Sequence, residues 1–216
     1  MNLIGIETST ENCSVALLHA GQITHRSDIA PRKHAELVLG YLDQLLSEKE
    51  LKKSQIDGIV FGQGPGAFTG VRIAMSIVQG LALALEVPVM AVSTMQNMAF
   101  KLWQDHPDEA HKLLIANDAR MGEVYWASFQ IKQGELLRLT EDALVAPEEI
   151  HYKGFDICAG SAFQSMIDAS SQATVQADAL PNAVNLLNMA KQSFQQDAQN
   201  IIEIKPSYIR EKVVFN

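Results

Sequence analysis

Short runs of apolar residues separated by polar turns open the chain. Residues 3–6, 13–18 and 23–29 are such runs, and the segments between them are rich in Ser, Thr, Asn and Gly. Runs of this length with these boundaries predict β-strands, and the short connections predict antiparallel pairing. The sequence therefore predicts a three-stranded antiparallel meander at the N-terminus.

After residue 30 the spacing of the apolar positions changes to that of helices. Residues 34–47, 71–86 and 94–104 show this spacing, and they alternate with strand-like runs at 56–61 and 87–92. Strands that alternate with helices in this way predict an α/β fold, in which helices pack on a mixed sheet.

The second half of the chain begins after a polar stretch at residues 106–109, where we place a boundary between two lobes. The first lobe is predicted to span 1–105 and the second 106–216, with the last residues packing back on the first lobe. The elements predicted in the second half are strands at 112–116, 123–130, 136–139 and 155–159, a short helix from Pro147 and a helix at 181–194.

Residues 62–70 carry four glycines between a strand and a helix, which predicts a tight loop. Thr69 is the predicted N-cap of the helix. A loop of this kind presents backbone N–H groups to an anion, so Gly64, Gly66 and Thr69 are candidate phosphate-binding residues. The loop lacks the Gly-Lys-Ser/Thr ending of a P-loop and misses the dinucleotide spacing by one residue. A purely structural turn, packing the helix closely on the sheet, explains the glycines at least as well.

A second polar turn, Glu7-Thr8-Ser9-Thr10, follows the first strand. Its hydroxyls and backbone donors are suited to a phosphate group. Ser and Thr are also common turn-forming residues, so the structural interpretation is equally simple.

The helix predicted at 71–86 is apolar on almost every side. A helix of this kind is covered on more than one face, so we expect the sheet on one side and another helix or a partner protein on the other. The sequence does not decide which of its two apolar stripes faces the sheet. The candidate partner-interface residues are Val71, Met75, Val78, Ala82 and Leu85 of this helix, and Leu37, Tyr41 and Leu45 of the 34–47 helix.

Asp118, Arg120 and Glu123 meet on a predicted bend between two strands. An internal ion pair that braces the turn is the favoured interpretation, and a ligand or partner contact is the alternative.

Composition and missing motifs limit the functional classes. A net charge of −8 and a pI near 5.2 argue against a protein that binds nucleic acid by itself. Two distant cysteines predict free thiols in a reducing compartment, and nothing in the sequence predicts a membrane span, so we expect a cytoplasmic protein. No nucleophile–histidine motif, zinc motif or paired acid motif is recognisable, a pattern that suits a binding or scaffold protein at least as well as an enzyme.

Several segments nevertheless resemble one family, the TsaB (also called YeaZ) proteins. The match at 118–126 is the most specific, and residues 132–203 contribute almost nothing. The matching segments, in the expected order, are residues 4–17, 62–73, 79–82 with 92–94, 118–126 and 206–210.

The resemblance implies an actin-like fold of the sugar-kinase, Hsp70 and ribonuclease H-like type, in two lobes. It implies a non-catalytic subunit in bacterial synthesis of N6-threonylcarbamoyladenosine at position 37 of tRNA. The implied partners are the catalytic subunit TsaD and the ATPase TsaE, with tRNA reached through the complex. ATP, ADP and metal would be handled by those partners, so no cofactor is expected in this chain. Without TsaD, the chain would form a homodimer through the surface that otherwise binds TsaD.

Two departures from the family pattern bear on nucleotide binding. Glu7 stands where the family usually has Asp, and Ala67 stands where Ser is usual. TsaD carries a His-x-x-x-His metal motif, whereas the comparable helix start here has His34 and no second histidine at Val38.

The alternative hypothesis is an ATP-dependent small-molecule kinase or ATPase that uses the two loops for phosphate, although no catalytic base is visible.

Overall fold

The computed structural model describes residues 1–107, 111–204, 207 and 209. Residues 108 and 109 of the predicted boundary, and residues 206, 208 and 210 of the C-terminal match, lie outside the described part. In the described part, strands β1 to β11 span Leu3–Glu7, Asn12–His19, Gln22–Ile29, Gly58–Gly64, Val89–Ser93, His111–Arg120, Glu123–Lys132, Glu135–Arg138, Ala143–Val145, Ile157–Ala159 and Thr174–Gln176. Helices α1 to α5 span His34–Glu48, Phe68–Leu85, Thr94–Asp105, Ala162–Ser165 and Ala183–Asp197.

The chain divides into two compact units, but not at the predicted boundary. Unit 1 comprises residues 1–97 together with 181–206, and unit 2 comprises 98–180 with 207–216. The division differs from lobes of 1–105 and 106–216 because α5 returns to the sheet of unit 1. Only contacts between residues distant in sequence assign α5 to unit 1, and the local pattern does not contain them.

Unit 1 is built on a five-stranded sheet with the order β3-β2-β1-β4-β5. β1, β2 and β3 are antiparallel neighbours, which confirms the predicted meander. β4 pairs parallel with β1, and β5 pairs parallel with β4. The sheet is therefore mixed, as the alternation of strands and helices predicts. α1 and α2 pack on it, and α5 packs against β1 and β2.

Unit 2 has a six-stranded sheet in which β11, β10, β6, β7 and β8 follow in order and β9 also pairs with β7. β6 and β7 form the long antiparallel hairpin that the pattern predicts. β10 pairs parallel with both β6 and β11. This sheet is mixed as well, and its core includes Leu114, Val124 and Phe163.

The glycine-rich segment is shorter as a loop than predicted. β4 continues through Gly64, and α2 begins at Phe68, so the loop proper is residues 65–67. The peptide bond between Gly64 and Pro65 is cis. The predicted N-cap at Thr69 is wrong, because Thr69 lies inside the first turn, and the N-cap residue Ala67 provides no side-chain cap.

The structure decides which stripe of α2 faces the sheet. Val71, Met75, Val78 and Ala82 are buried, and all but Val71 belong to the main apolar cluster of unit 1. Their assignment to a partner interface is therefore corrected, because these side chains are covered within the chain. Leu45 of α1 is likewise fully buried.

By length and composition, α2 is the one described helix that could cross a membrane. Its buried stripe packs into the core of unit 1.

The orientation of α2 predicts unequal effects of two truncations on the same helix. Met75→Ala is expected to lower the free energy of unfolding by about 2–5 kcal/mol, because it leaves a cavity in the core. Leu83→Ala, at a side chain that is 60% exposed, is expected to change it by about 0.5 kcal/mol or less. Urea unfolding followed by far-ultraviolet circular dichroism measures both, since the two tryptophans, Trp103 and Trp126, lie in unit 2. Equal losses would contradict this orientation.

Candidate functional site

The structure brings the two predicted loops into direct contact within unit 1. The Thr8 hydroxyl donates to the Gly70 carbonyl oxygen at 2.8 Å, and the Ala67 N–H donates to the Ser9 carbonyl oxygen at 2.7 Å. A Cβ at Gly70 would overlap the Thr8 carbonyl oxygen. This glycine therefore lets the β1–β2 turn lie against the first turn of α2.

The hydroxyls of the β1–β2 turn take part in hydrogen bonds within the chain. Thr8 and Ser9 are buried, and Ser9 Oγ accepts a hydrogen bond from the Thr94 hydroxyl at 2.9 Å. Thr10 is half-buried, and its Oγ1 accepts from the Asn12 N–H at 3.3 Å. Thr69 is exposed on α2. Of the candidate glycines, Gly64 is buried at the end of β4 and Gly66 is half-buried.

Glu7 is a fully buried carboxylate at the centre of this contact. Its Oε1 accepts from the Ser9 N–H at 2.8 Å, and its Oε2 accepts from Asn97 Nδ2 at 3.0 Å. A Cβ at Gly62 would overlap the carboxylate, so Gly62 leaves the space that Glu7 occupies. Burial raises the pKa of Glu7, and the hydrogen bonds from Ser9, Asn97 and Thr8 act in the opposite direction.

Asn97 connects this carboxylate to the returning C-terminal helix. Its Oδ1 accepts from Asn185 Nδ2 at 3.1 Å and from the Asn182 N–H at 3.3 Å, and its Nδ2 also donates to the Asn182 carbonyl oxygen at 3.0 Å. Sequence reasoning missed Asn97 and Asn185. The available signal was an asparagine on the apolar side of each of two helices, at a spacing that predicts burial.

The exposed side of α2 lies opposite its buried stripe. We define the α2 outer face as Ile73, Ser76, Ile77, Gly80, Leu83 and Ala84. These positions fall at helical spacing on one side and carry no charge. Ile73 and Ile77 are half-buried, and the other four are exposed. This face is accessible, whereas the predicted stripe is largely buried; Phe68, Thr69, Arg72 and Gln79 of α2 are exposed as well.

The remaining interface candidates are partly accessible. Leu37, Tyr41 and Leu85 are half-buried and pack against the core of unit 1. The Tyr41 hydroxyl donates to the Asp28 carboxylate on β3, and this hydrogen bond is the main reason why the pKa of Tyr41 is raised to about 12. Tyr41 therefore ties α1 to the edge strand β3.

Asp118, Arg120 and Glu123 lie at the β6–β7 hairpin of unit 2. Asp118 accepts from the Arg120 N–H at 2.6 Å and pairs with its guanidinium at 2.9 Å. Arg120 lies opposite Glu123, and Met121 and Gly122 between them have the positive φ angles of a type I′ turn. The Asp118–Arg120 contact thus braces the turn, while the exposed Arg120 side chain makes the ion pair weak.

Neither cysteine is a reactive thiol, and no metal cluster is found in the part of the chain that the structure describes. Cys13 and Cys158 are free and buried, and burial raises the pKa of each thiol to about 11. Such thiols remain protonated near neutral pH. No group of three His, Cys, Asp or Glu residues in the described ranges is placed to hold a metal ion.

Comparisons with known proteins identify the family. The curated proteins named tRNA threonylcarbamoyladenosine biosynthesis protein TsaB from Escherichia coli K12 and Haemophilus influenzae Rd are each 34% identical to this chain. These alignments cover 100% of the chain and 97% and 96% of the two relatives. The chain belongs to the TsaB family. The resemblance stated from the sequence motifs is thereby confirmed.

Two further matches agree with TsaB membership. The solved structure titled YeaZ from Pseudomonas aeruginosa is 38% identical, with a TM-score of 0.86 over 96% of this chain and 99% of that chain. A family model described as TsaD: tRNA N6-adenosine threonylcarbamoyltransferase matches residues 22–214. The predicted α/β class, with two mixed sheets flanked by helices, is confirmed.

Two Gly→Ala substitutions in α2 test the contact between the loops. Gly70→Ala is expected to destabilise the TsaB chain by about 1–3 kcal/mol, because the new methyl group overlaps the Thr8 carbonyl oxygen. Gly80→Ala is the matched control, with no atom within 4 Å of the new Cβ, and is expected to stabilise by about 0.5–1 kcal/mol. Urea unfolding at one protein concentration measures both. Stabilisation by Gly70→Ala would contradict a close contact between the Thr8 carbonyl oxygen and α2 at Gly70.

The raised pKa of Glu7 predicts a pH dependence of stability with a definite sign. Above the ordinary value of 4.5, the folded chain keeps a proton that the unfolded chain has lost. The free energy of unfolding therefore falls as pH rises, by at most about 1.4 kcal/mol per pH unit for one proton, and levels off above the folded-state pKa.

Glu7→Gln, which does not titrate, supplies the reference for this pH dependence. Urea unfolding of both proteins at several pH values from 4.5 upward gives the difference in slope. The wild-type curve is expected to fall relative to the variant, and parallel curves would contradict a raised pKa.

Proposed function

We propose that this TsaB-family chain is a non-catalytic subunit that pairs with a TsaD-like transferase in threonylcarbamoylation of adenosine 37 in tRNA. The observation that carries the proposal is the match at 34% identity over the whole chain to proteins named for tRNA threonylcarbamoyladenosine biosynthesis. The complex would be cytoplasmic and would include a TsaE-like ATPase.

The α2 outer face supports pairing with another protein. It places apolar and small side chains, without a charge, on one side of an 18-residue helix. Leu39 on the neighbouring helix α1 is also exposed. Small residues let a second helix approach closely, and Leu83 supplies apolar area to bury. In isolated chains the same face would serve a homodimer.

The chemistry of the described residues supports a non-catalytic role. The hydroxyls of Thr8 and Ser9 bond within the chain, and the two thiols are buried with raised pKa values. ATP, ADP and metal would then be bound by the partner subunits. The net charge of −8 favours a complex in which tRNA is held mainly by the partner.

A leave-one-out reconstitution tests the role. The transferase, the ATPase and the adenylate-forming enzyme are mixed with ATP, threonine, bicarbonate and tRNA, with or without this chain. Mass spectrometry of digested tRNA then measures modified adenosine. We expect product only when the chain is present. Equal product without it would overturn the proposal, and titration with Mg·ATP would then test the kinase or ATPase alternative.

A charge on the α2 outer face is expected to weaken binding to the transferase without unfolding the chain. Leu83→Glu places a carboxylate in the proposed interface and should weaken binding to the transferase at least tenfold, because an unpaired charge is buried. Leu137→Glu is the control, since Leu137 is exposed on β8 of unit 2.

Calorimetric titration and the reconstituted assay read out both variants. Circular dichroism confirms that each is folded. If Leu83→Glu binds and activates as well as Leu137→Glu does, the α2 outer face is not the interface.

A further inference from the structure

The surroundings of Glu7 have the composition of an anion-binding pocket. The Ser9 N–H and Asn97 Nδ2 donate to its two carboxylate oxygens. The Thr8 N–H and the Ser9 hydroxyl also hydrogen-bond to this carboxylate. Backbone N–H groups and amide NH2 groups can only donate, so these partners require an acceptor at this position. Groups of convergent neutral donors are how proteins bind small oxyanions.

No counter-charge accompanies this carboxylate. In the described part of the chain, the groups that bond to it from the β1–β2 turn and α3 are neutral, and β4 contributes only the backbone of Gly62. Other hydrogen bonds hold these donors in position. Thr94 donates to Ser9 Oγ, and Asn182 and Asn185 hold the Asn97 amide with its NH2 group towards Glu7.

We propose that the β1–β2 turn, Gly62 and Asn97 form an oxyanion-binding pocket that the chain fills with its own Glu7 carboxylate. Glu7 acts as an internal ligand. It closes the pocket to external carboxylates and phosphates, and it joins the turn to α3 and, through Asn97, to α5. This inference is independent of the proposed role in tRNA modification.

Removal of the internal ligand is expected to make the pocket bind an external one. Glu7→Ala deletes Cγ, Cδ and the two oxygens, and acetate supplies these same heavy atoms. At pH 7.5 acetate is expected to raise the melting temperature of Glu7→Ala by about 3 °C, with saturation. Acetamide has the same shape but places a donor against donors, and should have no such effect.

Three controls make the acetate result specific. Sodium chloride at equal ionic strength removes a general salt effect. The wild-type protein should not respond, because its pocket is filled. Ile6→Ala makes a cavity at a neighbouring, fully buried apolar residue and should not respond to acetate either. If acetamide stabilises Glu7→Ala as well as acetate does, or if acetate does no more than chloride, the proposal is overturned.

Two further measurements apply if Glu7→Ala does not fold by itself. Refolding in acetate rather than chloride should then raise the soluble yield several-fold, and equal yields would overturn the proposal. Carbon-13 NMR of the wild-type Glu7 carboxyl, identified by its absence in Glu7→Gln, should show the ionised form at pH 7.5. A protonated carboxyl at that pH would contradict an internal anion.

Discussion

The packing of the β1–β2 turn against the start of α2 is the constraint on which unit 1 depends. The turn sits between two central strands, and its Thr8 and Ser9 backbone reaches α2 only because Gly70 has no side chain. The same turn bonds to Thr94 at the start of α3. Two helices that are separated in sequence, α2 and α3, are thus fixed by one short turn, whose small hydroxyl residues make these contacts.

Glu7 adds a second, polar layer to this packing. A buried carboxylate is costly unless donors surround it, and here the donors come from the turn and from Asn97. Because Asn97 also holds Asn182 and Asn185, the position of the C-terminal helix is linked to the N-terminal strand. Such a network specifies one arrangement of the elements, since any other leaves buried polar groups unpaired.

The same arrangement separates the core of unit 1 from the surface available to a partner. The buried stripe of α2 completes the apolar cluster beneath the sheet, and the α2 outer face remains as an uncharged surface. The hydrophobic pattern runs along both sides of α2, which explains why the pattern alone did not decide which side faces the sheet.

The sequence by itself determined the antiparallel meander and the longer strands and helices, because strand and helix periodicities are local properties. It did not predict the short elements β9, β11 and α4. Its ordered motifs also determined the family. Only the tertiary structure decided the orientation of α2, the return of α5 to unit 1 and the enclosure of Glu7 by Ser9, Gly62 and Asn97. These features depend on contacts between residues 90 positions apart, as for Glu7 and Asn97, and 169 positions apart, as for Ser14 and Ala183. Hydrogen bonding and packing at that separation are set by the topology of the sheet, which periodicity along the chain does not specify.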